Sequence, residues 1–148
     1  MKIINIIFIF FFVVGCESTV IKSDLVQVKN NTSTNLVADE KEVGRKKKVL
    51  QIPIEVDTPR NATLDINFKI KSAGHCLTTY EPTVLSLNGQ LVAEFDFRRY
   101  FLKKVISKKV VLKKELFNKG LNKLELQTGN CDYDIDVLKL NSIRLNYN

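Results

Sequence analysis

The stretch Thr83-Val84-Leu85-Ser86-Leu87-Asn88-Gly89-Gln90-Leu91-Val92-Ala93-Glu94-Phe95-Asp96-Phe97 sets two apolar runs on either side of Asn88-Gly89. Both residues of that dipeptide tolerate positive φ, which a two-residue type I′ turn requires, so the pattern predicts a β-hairpin. Upstream, Leu50, Ile52, Ile54 and Val56 alternate with polar residues, and Leu64, Ile66, Phe68 and Ile70 repeat the pattern. A period of two is the signature of strands buried on one face. Downstream, Lys108–Lys114, Leu121–Thr128 and Asp136–Tyr147 read as further strands, the last interrupted at Asn141-Ser142, where a bulge is expected. Only Tyr100–Ser107 has a pattern fit for a helical turn or two. About seven short strands in roughly 100 residues predict an all-β antiparallel β-sandwich.

The chain has 148 residues, enough for one domain once its ends are subtracted. Its first residues, Met1 to Cys16, carry an early lysine, a short apolar run and a small residue before cysteine, the layout of a secretory signal. The run is too short to span roughly 30 Å of hydrocarbon as a lasting helix. Val13-Val14-Gly15-Cys16 resembles the lipobox of bacterial lipoproteins, in which cleavage precedes the cysteine and its sulfur is acylated. The resemblance implies a signal peptide over residues 1–15, a palmitate-type lipid on Cys16 and a mature protein anchored in the membrane of the cell envelope. Glu17 follows the cysteine where inner-membrane retention is associated mainly with aspartate, so the expected address is the periplasmic face of the outer membrane. From 16 to 48 the polar, charged sequence predicts a flexible tether; the alternative is that Leu25-Val26-Gln27-Val28 adds a strand. The folded domain is then expected over 49–148.

With Cys16 lipidated, Cys76 and Cys131 remain in a compartment where disulfides persist, and they are expected to pair. Closing a loop of about 55 residues would stabilise the fold by roughly 4 kcal/mol in the chain-entropy description.

Leu87-Asn88-Gly89, the Gly120-Leu121-Asn122 turn before a strand, and the closing Asp134–Leu145 run resemble the galactose-binding-like jelly-roll sandwiches, a superfamily rich in carbohydrate-binding modules. The resemblance implies a jelly-roll of about seven to eight strands and a glycan ligand; peptidoglycan, as a glycan partner, is suggested by the basic charge rather than by the resemblance. Gly120 suits a left-handed turn and Asn122 can bond nearby backbone, so any sandwich has use for both.

The chain holds one histidine, His75, and no Gly-x-Ser-x-Gly elbow, and its mature cysteines are expected to be crosslinked, so no enzymatic function, catalytic residue or cofactor is expected. Asp132, Asp134 and Asp136 share the spacing of a calcium loop, but Val137 stands where its glycine belongs and Ile143 where its bidentate glutamate belongs; no metal is assigned. Sugar recognition needs aromatic platforms, and the chain has no tryptophan. Tyr80 and Tyr133, with His75, Asp132 and Asp134, form the best ligand-binding candidate, since the expected disulfide would draw their loops together. The formal charge of +7 suits anionic lipids or acidic glycans, and an extracytoplasmic address excludes nucleic acid as a partner. An envelope protein is the alternative partner.

Overall fold

The computed structural model describes residues 20–28, 33–37, 40–44, 49–72, 80–97, 105–131, 134–135 and 137–147. In chain order the strands are β1 Val20–Lys22, β2 Val26–Val28, β3 Ser33–Val37, β4 Lys41–Val43, β5 Val49–Val56, β6 Ala62–Ser72, β7 Tyr80–Glu81, β8 Thr83–Leu87, β9 Gln90–Phe95, β10 Val105–Leu112, β11 Gly120–Gln127, β12 Asn130–Cys131, β13 Asp134–Ile135 and β14 Val137–Tyr147. One short 3-10 turn, Lys114–Leu116, precedes β11. Two sheets face each other: β1-β5-β11-β8-β9, with β2 also on β5, and β10-β6-β14-β3, with β4 also on β14. This is the expected β-sandwich.

Alternation builds the core. Along β5 every second residue from Leu50 to Val56 is buried, and Leu64, Ile66, Phe68 and Ile70 do the same on β6. Each such side chain is worth about 1.5–3 kcal/mol when fully buried. Phe68 and Phe97 meet edge to face at 5.2 Å, and Phe95 stacks parallel to Phe97 at 6.1 Å, which joins the sheets at one end.

The hairpin forms as the sequence predicts: Asn88 has φ 54° and Gly89 φ 78°, and β8 pairs antiparallel with β9. The bulge is also present. Leu140 pairs with Phe68 and Ser142 with Asn67, leaving Asn141 as the extra residue. Because of it, Ile143 and Leu145 return to the core while Arg144 faces out.

Two expectations change. Residues 16–48 are not a flexible tether where the structure describes them. β1 and β2 run parallel along the free edge of β5, and β3 and β4 run antiparallel along β14, so this segment edges both sheets. Val28, Leu36, Val37 and Val43 enter the core. Their alternations are three to five residues long, too short to stand out against charged neighbours, yet an open sheet edge offers them a ladder. The break between β1 and β2 falls opposite Pro53, which has no N–H for a ladder. The folded domain therefore begins before residue 49, and β1 and β2 make the first sheet mixed rather than antiparallel. The helical turn expected over Tyr100–Ser107 is replaced at Val105–Ser107 by the start of β10, and the rest of it lies outside the described residues.

Candidate functional site

The outward face of β10, β6, β14 and β3 is polar in register. In one row Lys109 is opposite Asp65, Asp65 opposite Arg144, and Arg144 opposite Asn35. In the next, Ser107 is opposite Asn67 and Asn67 opposite Ser142. Each residue alternates with a core residue on its own strand, so all of them project from the same surface.

These side chains bond across the strands. Ser107 Oγ donates to Asn67 Oδ1 at 2.5 Å, and Asn67 Nδ2 donates to Ser142 Oγ at 3.1 Å. Asn146 Nδ2 donates to Asp65 Oδ2 at 2.7 Å, and Lys109 Nζ stands 4.0 Å from Asp65 Oδ1. Arg144 Nε donates to Asn35 Oδ1 at 2.9 Å. Cross-strand bonding fixes rotamers that would otherwise be lost on binding. A depression of about 350 Å³ opens between Asp65, Asn67, Ser107, Lys109, Ser142 and Arg144. It presents amide, hydroxyl, carboxylate, ammonium and guanidinium groups together. Among the described residues lining it Asp65 is the one carboxylate, and it is engaged by Asn146 and Lys109.

The residues singled out from the sequence lie elsewhere. Tyr80 is half-buried, and its hydroxyl accepts a hydrogen bond from the Phe97 backbone N–H at 3.2 Å. It ties the segment after β9 to the β7 ribbon. In backbone register Tyr80 is opposite Cys131, and Cys131 opposite Asp134, so the topology does gather these positions on one small three-stranded sheet. Cys16, His75, Cys76, Asp132 and Tyr133 lie outside the described residues, as do the side chains of Cys131 and Asp134. Among the described residues the other aromatics are also withdrawn: Phe68, Phe95, Phe97 and Phe117 are buried, and Tyr147 is half-buried against Phe117 at 6.4 Å.

The polar face was missed because its residues occupy the unremarkable positions of amphipathic strands. The one available signal was compositional: Asp65 and Asn67, Ser107, and Ser142 beside the bulge are short polar side chains where a plain solvated face would carry lysine and glutamate.

No protein family matches the chain, and no curated protein does. Among solved structures, a family 35 carbohydrate binding module from an environmental isolate is similar at TM-score 0.42 and 16% identity, covering 68% of this chain and 66% of that one. A family 35 carbohydrate binding module from Clostridium thermocellum is similar at TM-score 0.37 and 11% identity, covering 78% and 88%. The isomalto-dextranase of Arthrobacter globiformis T6, complexed with panose, is similar at TM-score 0.35 and 13% identity over 66% of this chain and 16% of the enzyme. The chain thus spans just under two thirds of the first of these and a small part of the enzyme. Likeness at this level assigns no ligand, and the fold stands on the strand registers themselves.

Proposed function

We propose that this chain is a lipid-anchored envelope lipoprotein whose β-sandwich is a non-enzymatic glycan-binding module, attached through Cys16 at the periplasmic face of the outer membrane. The observation that carries the binding reading is the hydrogen-bonded polar surface across β10, β6, β14 and β3, with its depression between Asn67 and Arg144. Sugar hydroxyls both donate and accept, and this surface offers both kinds of partner in fixed positions. The proposal keeps Cys76 and Cys131 as a disulfide; thiol titration of the denatured, unreduced protein should find no free thiol.

Retention of the domain from Val20 onward on a panel of polysaccharides and on peptidoglycan tests the reading. Binding to at least one, lost in the Asn67→Ala/Arg144→Ala double variant with an unchanged melting temperature, is the expected result. No retention on any of them removes the glycan reading. A protein-interaction role is the second reading, favoured by β10, which edges its sheet and exposes Val105 (57%) and Val111 (67%). An edge strand with apolar side chains is a template for another protein's strand.

A further inference from the structure

The lipid anchoring proposed above acquires a direction from the position of β1. The strand begins at Val20, four residues after Cys16, and four residues of fully extended chain reach at most about 14 Å. Val20 is opposite Val49, Val49 opposite Gln127, Gln127 opposite Val84, and Val84 opposite Glu94. Those residues form one row across one end of the sandwich. The Tyr80 ribbon lies at the same end, held there by Gly129 N–H donating to Thr83 Oγ1 at 2.9 Å. The opposite end carries Val56 and Gly120, and the Asn88-Gly89 hairpin, level with Lys123 and Pro53, points towards it. Along the eight residues of β5 the two ends stand ~23 Å apart, well beyond the reach of the anchor segment.

We infer that the sandwich stands end-on on the bilayer, with the Val20–Gln127–Glu94 end against the lipid headgroups and the Asn88-Gly89 end pointing away. β1 is clamped to β5 by its own ladder and by the Ser23 N–H donating to Gln51 O at 2.9 Å, so the anchor segment cannot lengthen without peeling a strand from the sheet. In sequence, Val49 on this row follows directly on Arg45-Lys46-Lys47-Lys48, a charge run suited to anionic headgroups. The strands then rise roughly along the bilayer normal. The polar face around Asn67 and Arg144 is turned sideways and stays open to a polymer, whereas the Tyr80 end meets the lipid. Glycan recognition on this molecule therefore belongs to the sheet face and not to the Tyr80 end.

The chain has no tryptophan, so a single introduced one reports alone. Gln127 and Leu121 are both exposed, project from the same face of β11 and lie ~20 Å apart along it. The processed lipoprotein carrying Gln127→Trp or Leu121→Trp is reconstituted in phosphatidylethanolamine/phosphatidylglycerol vesicles with dansyl-labelled headgroups, and energy transfer to dansyl is measured. Transfer several-fold stronger from position 127 is expected. A Gly/Ser insert of about 20 residues after Cys16, with an r.m.s. reach near 25 Å, should level the two. Equal or reversed transfer without the insert, or an undiminished difference with it, overturns the end-on orientation while leaving anchoring intact. A mass spectrum of the N-terminal peptide showing no acyl chain on Cys16 overturns anchoring itself, and the orientation with it.

Discussion

Asn88 Nδ2 donates to Asn122 Oδ1 at 2.8 Å, joining the tip of the β8–β9 hairpin to the start of β11. Asn122 is 1% exposed and uses its whole side-chain capacity: Oδ1 also accepts from Asn118 N–H at 2.7 Å, and Nδ2 donates to the carbonyls of Asn118 and Gly120 at 2.8 and 2.9 Å. A buried amide with every site filled holds its surroundings in one arrangement. Removing it leaves several buried groups unpaired, each costing about 1–3 kcal/mol. Asn122→Ala should therefore lower the unfolding free energy by roughly 2–4 kcal/mol in urea titration. A change below about 0.5 kcal/mol would show that water replaces the amide without loss.

The hairpin tip separates conformational cost from hydrogen bonding. Asn88 sits at φ 54°, its Oδ1 accepts from Lys123 N–H at 2.9 Å, and its Nδ2 also donates to Leu116 O at 2.9 Å. Asn88→Gly keeps the backbone permissive and loses only these bonds, whereas Asn88→Ala loses both. The alanine variant should be the less stable by about 1 kcal/mol, the left-handed penalty for a Cβ. At Gly89, φ is 78° and a Cβ would meet nothing within 4 Å, so Gly89→Ala should cost about that same 1 kcal/mol with no added steric term. Thermal unfolding of the three variants checks the order; equal losses at Asn88 would assign the whole effect to the side-chain bonds.

How much of this was legible in sequence depends on how local each signal is. The Asn88-Gly89 hairpin, the bulge at Asn141 and the turn at Gly120 are written in a few adjacent residues, and all three stand where the pattern puts them. Of the edge strands only β2 left a local trace, as the alternative strand at Leu25–Val28; β1, β3 and β4 were not legible, because what makes a residue such as Val43 a core residue is an unfilled edge on β14, many residues away. The same limit applied to the candidate site. Asp65, Asn67, Ser142 and Arg144 become a surface only through the pairing of β6 with β14, which no local pattern specifies. Tyr80 was visible as an aromatic, but its commitment to the Phe97 backbone depends on a partner 17 residues on.

Tyr147 gives an alkaline signature. Burial, ahead of the opposing charge of Arg60 and the added repulsion of Asp57, raises its pKa above the ordinary 10.0. The folded state then holds the phenolic proton more tightly than the unfolded chain, so this contribution to stability is present below pH 10 and lost as pH rises beyond it. Its hydroxyl oxygen is buried and has no hydrogen-bond partner among the described residues. Tyr147→Phe should leave neutral-pH stability unchanged or raise it by up to about 1 kcal/mol, since the ring against Phe117 is kept and an uncompensated polar atom is removed. It should also remove a component ionising above the ordinary 10.0 from the absorbance titration near 295 nm. Loss of more than 1 kcal/mol would mean that the hydroxyl has a bonding partner in solution.

Deleting residues 17–48 distinguishes a tether from a structural segment. A tether contributes nothing to stability, so its removal would leave the melting temperature in place. The strands β1 to β4 instead bury Val28, Leu36, Val37 and Val43, each at most 4% exposed. At about 1.5–3 kcal/mol for each fully buried aliphatic side chain, their loss amounts to roughly 6–12 kcal/mol before the entropy recovered by freeing the segment is counted. That is comparable with the entire 5–15 kcal/mol stability of an ordinary domain. It would also uncover the apolar edges of β5 and β14, which invite pairing between molecules. A protein starting at Val49 should aggregate or melt at least 10 °C lower than one starting at Val20, measured by scattering and calorimetry at equal concentration. Equal melting temperatures would return residues 17–48 to the role of a linker and, with it, remove the support for the proposed end-on orientation.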